Sequence, residues 1–332
     1  MGIKIVNIEC FLPEKLFSNE DAFSLFPNFE PDKIEGKVGI RKRHIVSENE
    51  TALDLAIKAS EKVLERYDKN NIDFLILCTQ SPDYYLPTSA CILQEKLELS
   101  TSTGAFDFNL GCSGFIYGLA ICKGLISAGI ANNILLVMSE TYTRHIHPKD
   151  FANRSIFGDG AAATIVEKSN DEHIFEFILG TDGKGMNNLI IPNGGMRNRF
   201  NPNAELKSDE SGNSRTDNDI YMNGPEIFNF TIKAIPSLIN QTLEKNNLKF
   251  EEIDYFIFHQ ANKYMLDYLR KKIKIPAEKF YCNMLETGNT VSATIPIALK
   301  DCIESGIVKS GDKVLLCGFG VGYSYGATII KI

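Results

Sequence analysis

The chain has 332 residues, 44% hydrophobic and 23% charged, a globular composition with length for roughly two domain-sized units, which excludes a fibrous or wholly disordered chain. Its 35 basic and 42 acidic residues leave a net charge of −7, so a general affinity for nucleic acid is excluded and any anion site must be a local patch. The longest uncharged runs, 124–139 and 314–330, contain glycine or asparagine and fall short of the ~18 apolar residues of a membrane helix. No membrane span is predicted. With Lys4 early in the chain and Val6 where a lipidation motif wants Ser or Thr, the protein is read as cytoplasmic.

In chain order, an apolar run at 74–78 is followed by a helical pattern at 89–97, a run at 105–108 by a helical pattern at 114–128, and then comes a run at 134–138. The alternation predicts α/β architecture, and consecutive apolar residues predict strands covered by helices on both faces. The segment 193–219 has only Met196, Phe200, Ala204 and Leu206 as apolar side chains and is read as a long mobile loop, either a lid or a surface insertion. The pattern of 70–140 then returns about 180 residues later: Ile72 to Cys78 is echoed by Ile253 to His259, and Ile134 to Val137 by Val314 to Cys317. The chain therefore reads as two duplicated halves, 1–170 and 171–332. The duplication places Cys112 and Asn289 at equivalent strand-to-helix turns.

The eight cysteines contain no CxxC pair, which disfavours structural zinc and a thioredoxin-type site, and the default for each is a buried, reduced core residue. Cys112, in Gly111-Cys112-Ser113-Gly114, differs by its position. A sulfur at the start of a helix lies near unpaired N–H groups that favour the thiolate, and the flanking glycines permit close approach. His259 ends a strand, and a lone histidine there is more often a hydrogen-bonded packing residue. Asn289 alone is by default a turn or N-cap residue. The duplication brings the three towards one centre, since the ends of equivalent buried strands converge where ligands tend to bind.

A thiolate there can accept an acyl group from a thioester, and His259 and Asn289 can hold the carbonyl of a second thioester. If that second substrate loses carbon dioxide, the enolate left behind needs hydrogen-bond donors and no base. An asparagine stabilises the enolate without protonating it.

The segments Phe108-Asn109-Leu110-Gly111-Cys112-Ser113-Gly114-Phe115, His259-Gln260-Ala261-Asn262, Gly288-Asn289-Thr290, Phe157-Gly158-Asp159-Gly160 and Gly318-Phe319-Gly320-Val321-Gly322 resemble those of the β-ketoacyl-acyl-carrier-protein (ACP) synthase III family in order and spacing. The resemblance runs from Lys4 to the C-terminus. It implies the thiolase-like fold, duplicated α/β halves in a five-layered αβαβα architecture, and a homodimer. It further implies decarboxylative condensation of an acyl primer with malonyl-ACP to a 3-oxoacyl-ACP, initiating fatty acid synthesis, with no cofactor beyond the acyl-CoA or acyl-ACP substrates. By motif, Cys112 is the nucleophile, His259 and Asn289 bind the malonyl thioester carbonyl, and the backbone N–H groups of Cys112 and Val321 form the oxyanion hole. Leu86 is implied in closing the acyl pocket of the neighbouring subunit. Lys263, Arg270, Lys271, Lys272 and Lys274 are read as lying on the helix after His259 and are implied in docking the acidic carrier protein, the other reading being a solvated basic face.

Two departures bear on the donor. The chain has no tryptophan, and Lys33 stands where the family stacks one on the adenine of coenzyme A. Phe151 stands near the place of a partner arginine, with Arg154 three positions later. A carrier-bound primer, or an acyltransferase of a specialised pathway on the same fold, is therefore carried beside acyl-CoA. A non-catalytic carrier-binding subunit is disfavoured because Cys112, His259 and Asn289 are all present, and a dinucleotide-binding oxidoreductase is disfavoured because only ten residues follow Gly322.

Overall fold

The computed structural model describes residues 2–26 and 30–332 and contains two five-stranded sheets of the same topology. The first is built from β1 (Gly2–Phe11), β2 (Phe74–Cys78), β3 (Gly104–Phe108), β4 (Asn133–Glu140) and β5 (Gly160–Ser169), in the order β1-β5-β4-β2-β3. The second uses β6 (Ile178–Thr181), β7 (Tyr255–Phe258), β8 (Phe280–Tyr281), β9 (Lys313–Gly320) and β10 (Ser324–Lys331), in the order β6-β10-β9-β7-β8. In each, the strand next to one edge, β2 or β7, lies parallel to both its neighbours, and the remaining pairings are antiparallel.

The strand residues divide their side chains between two interiors with the period of two that a pleated strand requires. On β2 and β4, Ile76, Ile134, Leu136 and Met138 face the middle of the molecule, while Leu75, Leu77, Leu135 and Val137 face an outer helix layer. On β7 and β9, Ile257, Val314 and Leu316 join the same middle cluster, and Phe256, Phe258, Leu315 and Cys317 face the other way. This is why the runs are apolar on consecutive residues.

Helices α1 (Ala52–Leu64) and α2 (Ser89–Lys96) cover the first sheet, and α4 (Gly224–Lys245) and α5 (Lys263–Ile273) the second. Between the sheets lie α3 (Gly114–Ser127) and α6 (Thr294–Glu304), which contribute Phe115, Ile116, Leu119, Ile295, Ala298 and Leu299 to the middle cluster. The result is five layers, αβαβα. Each such buried Phe, Ile or Leu side chain stabilises the fold by about 1.5–3 kcal/mol relative to exposure. α1 starts at a reciprocal cap in which Thr51 and Asp54 satisfy each other's backbone N–H groups.

Three expectations are corrected. The segment 193–219 is a tied loop: two short strands pair Lys207 with Arg215 and Ser208 with Ser214, Arg215 reaches the buried Asp150 at 3.1 Å, and Asn213 accepts from the Ala152 N–H at 3.0 Å. Its polar side chains hold it by bonding one another and the neighbouring turn. Cys91 and Cys282 are exposed instead of buried. Lys274 is not helical; it caps α5 in the left-handed region at φ 66°. No helix among the described residues is long and apolar enough to cross a membrane.

Candidate active site

Cys112 lies in the turn between β3 and α3, at the inner end of the first sheet, and is buried. The turn is held by the Gly114 N–H donating to Gly111 O at 2.8 Å. Across from it, the end of β9 approaches so closely that a Cβ on Gly320 would stand 2.8 Å from both Cβ and Sγ of Cys112. Only glycine permits that approach. It brings the Val321 N–H to the sulfur, which also receives the Cys112 N–H, and both donors favour the thiolate.

They do not win. Burial, aided by the charge of Glu140, pushes the Cys112 thiol up to about 12. The N–H groups at the helix start favour the thiolate as expected, but the site is dry, and desolvation outweighs two neutral donors. Around the sulfur, Tyr142, Ile146, Phe157, Leu189, Ile220 and Val291 form a buried apolar cluster, a surface suited to an acyl chain.

His259 and Asn289 come from the second half. β7 ends at His259, whose N–H donates to Cys317 O at 2.8 Å. Asn289 is placed by two backbone bonds to the Ile156–Gly158 segment: its N–H donates to Ile156 O at 2.9 Å, and its carbonyl accepts from the Gly158 N–H at 3.0 Å. Its Oδ1 accepts from the Val291 N–H at 2.9 Å, which orients the amide so that Nδ2 faces His259 Nε2 and Ala261 O, each at 3.4 Å.

The histidine tautomer follows from Thr294. Its hydroxyl gives its one proton to Val291 O at 2.9 Å, so at 2.7 Å it accepts from His259 Nδ1–H. Nε2 then carries a lone pair towards Asn289. Burial drives His259 down to about 3, so the ring is neutral. At rest the pair is a donor and an acceptor, where the motif reading had two donors.

The nucleophile's half and the half carrying the polar pair meet at the turn Val291–Ala293, since Val291 packs in the Cys112 cluster and follows Asn289 by two residues. A thiol against two N–H donors, beside an amide and a neutral imidazole in a dry apolar pocket, can exchange acyl groups between thioesters and stabilise an oxyanion. Residues 106–183 match the family model of 3-oxoacyl-ACP synthase III, and residues 243–332 match its C-terminal model. Over 332 residues the chain is 36% identical to a β-ketoacyl-ACP synthase III of Clostridium perfringens, with 99% of each chain covered. Over 336 residues it is 37% identical to the enzyme of the same name from Fusobacterium nucleatum, covering 99% of this chain and 98% of that one.

The chain belongs to the β-ketoacyl-ACP synthase III family.

A crystal structure of a 3-oxoacyl-ACP synthase III agrees with a TM-score of 0.98 at 43% identity over 100% of both chains. The fold is thus the thiolase-like fold of the synthase III family, and the chain is a condensing acyltransferase.

The remaining predicted residues lie apart from this centre. Leu86 is 83% exposed and takes no part in the apolar cluster of its own chain. On α5, Met265, Leu266 and Leu269 are buried, Lys263 pairs with Asp267 at 3.1 Å, Arg270 donates to Ile275 O at 3.2 Å, and Lys271 and Lys272 are exposed. Motif reading of this synthase III chain missed Thr294, which sets the tautomer, and Glu140 and Ser292 behind the nucleophile. A polar residue ending a strongly apolar strand was the available signal for Glu140.

Proposed function

We propose that this chain condenses an acyl thioester primer with malonyl-ACP, releasing carbon dioxide and giving a 3-oxoacyl-ACP, the step that initiates fatty acid synthesis. The observation that carries the reading is the Cys112 sulfur set against the Cys112 and Val321 N–H groups, with Asn289 and His259 presented from the other half. Acylation forms the bond from Sγ to the acyl carbon, breaks the donor's thioester bond and sends the thiol proton to the departing thiol. In the second step the malonyl C–C bond to the carboxylate breaks and its electron pair becomes an enolate. The enolate oxygen is met by Asn289 Nδ2–H and by His259 once Nε2 carries the proton. That tautomer forms when Nδ1 gives its proton to water and Nε2 takes one from water, after which the Thr294 hydroxyl turns from Val291 O to donate to Nδ1. The enolate carbon attacks the acyl carbonyl, whose oxyanion the two backbone N–H groups hold while the Cys112 thiolate leaves. Val321 serves through its backbone, so its side chain leaves the donor intact.

The donor side supports a primer recognised mainly by its acyl group and carrier. Lys33 is exposed and pairs with Glu30 at 2.7 Å. Phe151 is buried with Phe17, Ala22 and Ile34, and Arg154 instead stacks its guanidinium 4.6 Å from the Phe17 ring. Neither position offers the ring or the cation that a nucleotide would use. The exposed Lys271 and Lys272 on α5 give the acidic carrier protein a local basic face on an acidic chain. The reading places the enzyme in the cytoplasm as a homodimer, with Leu86 reaching the partner's acyl pocket and no cofactor beyond the thioester substrates.

The test is the rate of 3-oxoacyl-ACP formation from malonyl-ACP with acyl-ACP, acyl-CoA and acyl-pantetheine as primers. Condensation with all three, at similar rates for the CoA and pantetheine forms, supports the reading. Acylation without 3-oxoacyl-ACP from any primer contradicts it and leaves an acyltransferase of another pathway. A large preference for acyl-CoA over acyl-pantetheine overturns the donor assignment alone.

A further inference from the structure

Glu140 ends β4 and is fully buried. A carboxyl in that position ordinarily has a cation beside it, because an unpaired buried charge is costly. Here the partners are neutral. One oxygen accepts from the Gln80 N–H at 3.0 Å and the other from Ser292 Oγ at 2.9 Å. No Lys, Arg or His among the described residues bonds to it.

The Ser292 bond crosses between the halves. Ser292 sits in the turn Val291–Ala293, between the Val291 that packs in the Cys112 cluster and the Thr294 that bonds His259. Val291 holds φ 56°, a left-handed conformation costly for a β-branched residue and kept only where the surroundings over-determine it. Asn289 Oδ1 and the Thr294 hydroxyl bind its two backbone groups, and Glu140 anchors the next residue. The ionisable groups that act on Glu140 and on Cys112 are Cys78 on β2, Asp159 before β5, Tyr142 after β4, and each other. All are neutral or negative; His145 connects to the carboxyl through Ser81, whose hydroxyl lies 3.2 Å from the imidazole Nε2 and also bonds Glu140, and burial pushes that imidazole down.

We propose that Glu140 is a positioning residue for Cys112: held by Gln80 and Ser292, its carboxyl switches the thiol between a more and a less ionisable state as it gains and loses its proton. Burial pushes Glu140 up to about 8, and its charge is among the causes that raise the thiol. The sign is fixed by charge. Below about 8 the carboxyl is neutral and the thiol ionises more readily; above it the carboxylate opposes a second negative charge nearby. Nucleophile reactivity then stops rising with pH near neutrality, which limits alkylation and oxidation of the empty enzyme in mildly alkaline surroundings.

The catalytic meaning of this switch rests on Cys112 being the nucleophile, but its test uses no substrate, so a failed condensation assay and a failed switch are told apart. Alkylation of Cys112 by iodoacetamide is followed by peptide mass from about pH 6.5 to about 9.5, in the native enzyme and in Glu140→Gln and Glu140→Asp. The native log rate is expected to climb with unit slope, flatten around 8 and resume on a lower parallel line. Glu140→Gln gives one straight line, several-fold faster at the alkaline end, and Glu140→Asp restores the flattening. A straight native line, or an unchanged bend in Glu140→Gln, overturns the proposal. Should the Gln variant fail to fold by circular dichroism, the native profile decides alone.

Discussion

Because burial outweighs two N–H donors at Cys112, the free enzyme stores its nucleophile as a thiol, and the proton must leave while the thioester is bound. That separates the two half-reactions by residue. Asn289→Ala removes a donor that only the enolate needs, so acyl loading of Cys112 should persist while condensation falls by about 10²–10³-fold. Equal loss of both steps in rapid-quench assays would remove Asn289 from the malonyl site. His259 supplies a pH signature. Its folded value near 3 lies below the ordinary 6.5, so its contribution to stability is complete above 6.5 and is lost as pH falls towards about 3. The slope from this one group reaches about 1.4 kcal/mol per pH unit. Urea midpoints should therefore drop less steeply between about pH 6.5 and about pH 4 in His259→Gln than in the native chain; identical slopes would refute a buried neutral imidazole. Cys112, His259 and Asn289 were legible from motif and duplication. Glu140 was marked only by its place at the end of an apolar strand, and its role was not legible because its partner Ser292 lies 152 positions away, where no local pattern encodes it.

At the scale of elements, β9 and α5 carry the functional load. α5 lays Met265, Leu266 and Leu269 inward and Lys271 and Lys272 outward, so charge can be reversed on one face without disturbing the other. The pair Lys271→Glu and Lys272→Glu should raise the KM for malonyl-ACP by about tenfold, with acylation from acyl-pantetheine unchanged and the deficit shrinking as salt rises. Unchanged KM would return these lysines to a solvated face. The strands were readable because their apolar runs serve two interiors at once. The 193–219 loop was not: its composition resembles that of a mobile segment, yet the Ser214 N–H donates to Lys149 O, the Arg215 guanidinium pairs with Asp150, and Asn213 accepts from the Ala152 N–H. Composition reports polar side chains but not where their hydrogen bonds go.

At the scale of the molecule, two sheets of one topology share α3 and α6 as a common interior, and this joins the ends of β3, β7 and β9 around one sulfur. The same arrangement leaves β3 at the edge of the first sheet with half-buried residues throughout, near the exposed Tyr84, Tyr85 and Leu86. An open edge of this kind pairs readily with another chain. Light scattering should give about twice the 37.0 kDa chain mass; a monomer at micromolar concentration would refute the homodimer. The five layers were legible from the duplicated pattern together with the resemblance. The protonation states of the site were not, since they depend on how dry the assembled centre is.

The central claim is an acyl group carried on Cys112 and discharged by malonyl-ACP. Intact-protein mass should show one acyl adduct per chain after mixing with acyl-ACP or acyl-CoA, absent in Cys112→Ala, and loss of that adduct with appearance of 3-oxoacyl-ACP when malonyl-ACP is added. An adduct that survives malonyl-ACP, or one that forms equally on Cys112→Ala, would contradict the account.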